Sequence, residues 1–360
     1  MNYVSSRKFK MGDRRLTIAL VALLTGISGT VVASALVAYE AFFPRYERPN
    51  YALYPGEYCY ERVKDRLYRE EFYFNSNKAK LKAYYYPAKN SKGLIVLAHG
   101  MHSGADDYIP IIEYMVNSGY NVFAYDATGT YDSKGFDTIG MCQAVIDIDH
   151  ALKYIKKTSP YKDQPIFLIG HSWGGYAVSS VLELHKDVKA CACIAPMNNG
   201  YTVMYQTSQM HIGKMALPIK PVFEVYQKIL FGRYTECNGV RGINSSGVPV
   251  LIAQGDNDEI IPKDKLSITA YKHLITNPNV RYIDTTGLQG DHNDLWHSIE
   301  CINYKKQLSS QLAQLEKEKQ RELTKEELAE FYTMVDHRLY SQVNEKLMQK
   351  IVKTFNQANK

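Results

Sequence analysis

The sequence predicts an α/β fold, with a mostly parallel central sheet and helices on both faces. Two observations carry that reading. Short uninterrupted apolar runs recur along the chain, Leu94–Ala98 and Ile166–Ile169 among them, and such runs suit strands buried on both faces. Between the runs lie segments with apolar residues at helical spacing. In Met141–Lys157, for example, Ala144, Val145, Ile148, Ala151, Leu152 and Ile155 share one face. Regular alternation of strand and helix points to parallel strands joined by crossover helices. With 360 residues and 45% apolar content, the chain is long enough for one such domain with a sizeable core.

The segments follow in order. Residues 1–15 are a basic tail holding Arg7, Lys8, Lys10, Arg14 and Arg15 against Asp13. From Leu16 to Tyr39 there are 24 residues without a charge, about 36 Å as a helix and enough to cross a bilayer. Residues 16–43 therefore read as an uncleaved, single-pass signal-anchor. The alternative is a cleaved signal peptide with its site at Ala33-Ser34-Ala35, although such peptides have apolar regions of roughly 7–15 residues. The basic tail precedes the segment and only Arg45 and Arg48 follow it closely. The N-terminus is thus expected in the cytoplasm and the rest of the chain on the extracytoplasmic side of the cell membrane. Tyr39, Phe42, Phe43 and Tyr46 would form an interfacial aromatic belt. Residues 44–68 show no period and read as a linker, and the domain proper spans 69–360.

Within the domain, Glu70–Phe74 and Leu81–Tyr86 are predicted strands around an Asn75-Ser76-Asn77 turn. Leu94–Ala98, Tyr120–Tyr125, Ile166–Ile169, Val188–Ala195, Val248–Ala253 and Val280–Ile283 continue the sheet, with helices over Asp107–Ser118 and Met141–Lys157. Between Pro196 and Gly247 the alternation stops. This stretch is rich in Met and Tyr, contains Pro218 and Pro221, and predicts one short helix over Val222–Phe231. Residues 197–247 read as a helical lid inserted over the carboxyl edge of the sheet, where α/β ligands bind. Lining an apolar substrate pocket and simply packing onto the domain are both open uses of its side chains. Residues 303–360 form a helical extension. In it Lys305–Leu323 reads as a solvated structural arm, Thr324-x-x-Glu327 as a capping box, and Val343, Leu347 and Ile351 as the inner face of a last helix.

Composition excludes some classes of function. The net charge is +6, of which the first 15 residues supply +4, so the domain offers no nucleic-acid surface. Six cysteines occur without a C-x-x-C or any metal spacing, so neither a metal nor a cofactor is expected. Cys191 and Cys193 alternate along one strand and read as core. A disulfide among the others, and the oligomeric state, stay open.

The chemistry centres on Gly170-His171-Ser172-Trp173-Gly174. An apolar strand runs into it, and Gly175–Leu182 reads as a helix behind it. So sharp a turn strains the backbone at Ser172, while Gly170 and Gly174 remove side chains where strand and helix cross. The Ser172 hydroxyl is thereby exposed at a helix N-terminus, whose free N–H groups favour developing negative charge. A serine nucleophile needs a base, and the base needs a carboxylate to orient it. Two loops at strand carboxyl ends supply both: Gly255-Asp256-Asn257-Asp258-Glu259-Ile260-Ile261-Pro262, then Gly287-Leu288-Gln289-Gly290-Asp291-His292-Asn293-Asp294.

This order of serine, aspartate and histidine closely resembles the α/β-hydrolase superfamily, over roughly residues 69–302. The resemblance implies an α/β-hydrolase fold and a triad of Ser172, Asp258 and His292. The acid is Asp258 rather than Asp256, because the family pattern G-x-x-D-x-x-V-P aligns there, with Ile261 in place of the valine. The loop His99-Gly100-Met101-His102-Ser103-Gly104 resembles the family's oxyanion turn and implies donors at the Met101 and Trp173 amides, each worth roughly 3 kcal/mol in the transition state. His99 would brace that loop. The run Asp126–Gly135 is similar to the D-x-x-G-x-G-x-S-x-G loop of the bacterial lysophospholipase, monoacylglycerol-lipase and serine-aminopeptidase-like group, except that Tyr131 stands at its second glycine. Together with the anchor read from residues 16–43, the resemblance implies a membrane-anchored serine hydrolase acting on a small-molecule or lipid-derived acyl substrate, with lysophospholipase or esterase activity. The alternatives are an aminopeptidase-like amide hydrolase and a non-catalytic hydrolase-like binding protein.

Overall fold

The computed structural model describes residues 29–158 and 160–359. Its frame is an eight-stranded sheet in the order β1-β2-β4-β3-β5-β6-β7-β8. The strands are β1 (Glu70–Ser76), β2 (Ala79–Tyr86), β3 (Leu94–Ala98), β4 (Asn121–Tyr125), β5 (Ile166–His171), β6 (Ala190–Ile194), β7 (Val250–Gly255) and β8 (Val280–Thr285). β1 and β2 form a hairpin with Phe74 opposite Leu81, and β2 runs antiparallel to β4. Asn77 turns that hairpin at φ +48°, a conformation that asparagine tolerates better than most residues. From β4 to β8 every pairing is parallel.

The alternation of side chains along a strand divides the core in two. Leu94 and Val96 of β3 and Leu168 of β5 face one apolar layer, while Ile95, Leu97 and Ile169 face the other. The first layer holds α3 (Gln143–Ile155) and α4 (Trp173–Ser180). The second holds α2 (Ile109–Asn117) and the last helix, α11 (Glu345–Ala358), which buries Leu347, Met348, Ile351 and Phe355.

Between β6 and β7 lie three helices: α5 (Gly200–Ile212), α6 (Ile219–Phe231) and α7 (Gly239–Ser246). The sequence reading finds α6 but not α5. α5 buries only Gly200, Val203 and Met204, so its apolar pattern is too sparse to read; its sign is the Asn199 side chain, which accepts from the Tyr201 N–H as a cap.

The N-terminal segment differs from its expectation. Residues 16–28 lie outside the described residues. Gly29–Phe42 is a helix, α1, whose face of Val32, Ala35, Leu36 and Tyr39 is buried against the domain. The Tyr39 ring meets Phe223 and Tyr226 of α6 at 5.6 and 5.3 Å, and the Tyr226 hydroxyl donates to Glu40. Tyr39 and Phe43 are therefore core residues and not an interfacial belt. Burying a three-four-spaced stripe on protein uses the same apolar side chains that the anchor reading assigned to lipid. Among the described residues no helix is long and apolar enough to cross a membrane.

Residues 44–68 are docked rather than loose. The Arg48 guanidinium pairs with Asp106 at 2.6 Å and Asp132 at 2.8 Å and donates to the Tyr84 hydroxyl, and Arg62 donates to the carbonyls of Tyr54 and Tyr51. At the other end, α8 (Ile299–Lys319) buries Cys301, Ile302 and Leu308 and is mostly exposed beyond them. The capping box forms, with the Thr324 N–H donating to Glu327 and the Glu327 N–H to the Thr324 hydroxyl, at the start of α9 (Lys325–Thr333). A single turn, α10 (His337–Tyr340), leads to α11. All six cysteines are free thiols, and all are buried.

Candidate active site

Ser172 stands between β5 and α4 with φ +55° and ψ −115°, in a region that non-glycine residues rarely enter. The crossing explains both flanking glycines. A Cβ on Gly170 would lie 2.2 Å from the Gly174 carbonyl oxygen, and one on Gly174 would lie 2.0 Å from that of Ala98. The Ser172 N–H donates to the Ile194 carbonyl at 2.8 Å, which ties the turn to β6. Trp173 opens α4, so its N–H has no carbonyl four residues back within the helix. Its indole N–H donates to the Met141 carbonyl at 2.7 Å and fixes the ring.

Asp258 and His292 are buried and joined by a 2.7 Å hydrogen bond from the histidine Nδ1 to the carboxylate Oδ2. The other Asp258 oxygen accepts the N–H groups of Ile260 and Ile261 at 3.0 and 2.7 Å. Gln254 donates to Oδ2 at 2.9 Å while accepting from the Ser267 hydroxyl. The carboxylate is thus fixed from four sides, and Nδ1–H is committed to it, so His292 presents Nε2 as a free base. Asp256 is exposed and makes no such pair. Ser172 and His292 line the same cleft of about 580 Å³, together with Met101. No hydrogen bond joins the Ser172 hydroxyl to His292; such contacts often close only around a bound substrate.

Two further histidines hold the site without titrating near neutrality. His171 accepts at Nδ1 from the Tyr108 hydroxyl at 2.8 Å and donates from Nε2 to the His292 carbonyl at 3.1 Å. The same Tyr108 oxygen accepts the Gly100 N–H at 2.9 Å. One chain of contacts therefore links the Gly100 turn, β5 and the His292 loop. Burial, and then the neighbouring His292, lower the His171 pKa to about 3. His99 donates to the Gly100 carbonyl and accepts the Ala127 N–H at 2.9 Å, and burial lowers its pKa to about 4. Its brace spans the Met101 loop and the β4 loop.

Several residues around the cleft escape the sequence reading. Gln254 had one available sign, an amide at the end of an otherwise apolar strand. Tyr131 takes φ +40° where the resembling loop has glycine. Its hydroxyl donates to Asp107 Oδ2 at 2.6 Å, and its ring lies 5.0 Å from the Arg48 guanidinium. The second Asp107 oxygen has no partner among the described residues, and burial raises the Asp107 pKa to about 6. Lys305, in the first turns of α8, also lines the cleft. The lid contributes Met197, Val203 and Thr207. No group of residues suited to a metal ion occurs among the described residues.

Parallel sheet, strained serine turn and buried aspartate–histidine pair define an α/β-hydrolase. Residues 89–275, just over half of the chain, match the family described as serine aminopeptidase, S33, and the chain belongs to that family. Protein phosphatase methylesterase 1 of Candida albicans is 25% identical over 128 residues, which are 36% of this chain and 35% of that protein, so the chain spans about a third of this relative. The uncharacterized protein YfhR of Escherichia coli O157:H7 is 24% identical over 225 residues, 61% of this chain and 72% of the relative. Among solved structures, the esterase Pf2001 of Pyrococcus furiosus shares the fold, with a TM-score of 0.52 at 18% identity over 76% of this chain and 98% of the esterase.

Proposed function

We propose that the chain is a serine hydrolase of carboxylic esters, lysophospholipase- or esterase-like, acting through an acyl-enzyme on Ser172. The observation that carries this is the buried Asp258–His292 pair opening on the same cleft as the strained Ser172. In this reading His292 Nε2 takes the Ser172 proton as the hydroxyl oxygen attacks the ester carbonyl carbon. Asp258 holds the ring in the required tautomer and stabilises the imidazolium. The Met101 and Trp173 amides receive the oxyanion. Collapse releases the alcohol, protonated by His292. Water then attacks the acyl-enzyme with His292 again as base, freeing the acid and Ser172. Met197, Val203, Ile261 and Leu266 offer an apolar wall for an acyl chain. Each methylene buried there would contribute about 0.8 kcal/mol to transition-state binding.

A second reading, hydrolysis of aminoacyl amides, has its own support in the unpartnered Asp107 oxygen at the cleft, a natural acceptor for a substrate ammonium. A panel of p-nitrophenyl acyl esters of graded length beside aminoacyl anilides separates the two. Ester turnover that rises with chain length is expected; anilide cleavage without ester cleavage would reject the esterase. Ser172→Ala should abolish both turnover and labelling by a fluorophosphonate. Retained turnover would reject the nucleophile.

The uncharged run before α1 supports attachment at a membrane, with the domain on the extracytoplasmic side. Protease added to intact, wall-stripped cells should degrade the domain. Full protection until lysis would reject that side.

A further inference from the structure

The cleft lining falls into two chemical groups. The lid and the loops after β6 and β7 supply apolar side chains. A second group is polar and comes from segments that the ester chemistry leaves unused: Tyr58 before the sheet, Trp296 and His297 after the His292 loop, and Lys305 on α8.

In this second group His297 Nδ1 donates to the Asn293 carbonyl at 2.9 Å, which leaves Nε2 as an acceptor. Lys305 donates to that nitrogen at 3.0 Å, and the Tyr58 hydroxyl lies 3.2 Å from it. Burial, and then the neighbouring Lys305, hold His297 neutral. Lys305 forms no ion pair among the described residues. Asp294 acts on it only at longer range, and burial is the largest influence on its pKa, lowering it. The Cys301 thiol, a hydrogen-bond partner of the Lys305 ammonium, and the Tyr340 ring, 5.2 Å away, are its other neighbours. The Trp296 ring lies tilted against His297, centroids 3.7 Å apart, and its buried indole N–H has no acceptor among the described residues. A cation without a counter-charge and a donor without an acceptor thus border one part of the cleft. Both are costly unless something fills them. The remaining carboxylate on the cleft, Asp107, already has one oxygen engaged by the Gly104 N–H and the Tyr131 hydroxyl.

We propose that Lys305, Trp296, His297 and Tyr58 form a subsite for an anionic group, a carboxylate or a phosphate, carried by the substrate. Taking the occupant as part of an ester rests on the esterase reading above. The remaining N–H group of Lys305 and the Trp296 N–H would donate to its oxygens, and the ammonium would supply the missing charge. The subsite sets specificity and takes no part in bond making.

Three esters with a common acyl group test this: 4-butyryloxybenzoate, 4-butyryloxyphenyl phosphate and the neutral methyl 4-butyryloxybenzoate. In the wild type, kcat/KM for at least one anionic ester should exceed that for the neutral ester by tenfold or more. Lys305→Met should bring that ratio within about twofold of one, chiefly through KM. Lys305→Arg should restore most of it. Trp296→Phe, which keeps the ring and removes the donor, should lower it severalfold and serves where Lys305→Met fails to fold. A wild type without preference, or a ratio unmoved by these variants, overturns the subsite while leaving the esterase standing. If no ester turns over, the esterase reading fails, and the subsite is judged by binding. Titration with 4-hydroxybenzoate and phenyl phosphate should then show at least one of them bound, tenfold more weakly in Lys305→Met. No binding, or equal affinities, overturns it.

Discussion

Asp256 and Asp258 stand two residues apart in one loop, yet only Asp258 turns inward to meet His292, two backbone amides and Gln254. Asp258→Asn should lower kcat by about 10³–10⁴-fold by favouring the wrong His292 tautomer, whereas Asp256→Asn should cost less than about tenfold. Steady-state kinetics on one ester decides it, and the reverse ranking would reject the assignment. His171 carries a pH dependence of its own. Its pKa is lowered to about 3 in the folded chain, against about 6.5 when unfolded. Its stabilisation is complete above pH 6.5 and is lost as pH falls towards 3, because the unfolded chain takes up a proton that the folded one refuses. The stability difference between wild type and His171→Gln should therefore shrink by about 2 kcal/mol between pH 7 and pH 5, as read by urea unfolding at both. A constant difference would show that His171 is not held neutral. The sequence exposed Ser172, Asp258 and His292 because their spacing from strand ends is local information. It hid the Tyr108–His171–His292 chain, whose members meet only once β3, β5 and β8 are assembled in one sheet.

At the scale of elements, the junction of β5 and α4 was legible and the lid was only half so. Gly170 and Gly174 are required by contacts across two strands, and their four-residue spacing announces the crossing. Gly174→Ala would set a methyl group 2.0 Å from the Ala98 carbonyl oxygen. It should cost about 3 kcal/mol or more and reduce fluorophosphonate labelling, since β3 carries the Met101 loop. Thermal unfolding and labelling rate check this together, and wild-type values for both would show the crossing to be slack. The lid's α5 was invisible because a helix that buries little carries little amphipathic signal. α1 was misread for the opposite reason. An apolar stripe with no charges on its other face reads alike for lipid and for protein, and only Phe223 and Tyr226, nearly 190 residues away, decide where it packs.

For the molecule as a whole, strand order places the carboxyl ends of β5, β7 and β8 on one edge, so the loops bearing Ser172, Asp258 and His292 converge there. That convergence was expected from alternation alone. The segments that close the cleft from outside the sheet, with Tyr54 and Tyr58 at one end of the chain and Lys305 at the other, were not. They lack periodicity, and their packing depends on where the chain returns.

The six buried thiols have a practical consequence. They are spread over the segment before β1, the start of α3, β6, the lid and α8, and burial raises Cys142 to about 12 and both Cys237 and Cys301 to about 11. An alkylating reagent reacts with thiolate, so at neutral pH each position stays silent until its own neighbourhood opens. The chain thus carries built-in timers for local opening. Pulsed iodoacetamide with peptide mass spectrometry should modify Cys237 and Cys59 well before Cys191 and Cys193, which sit inside the sheet. Simultaneous modification of all six would mean that lid and sheet open as one cooperative unit.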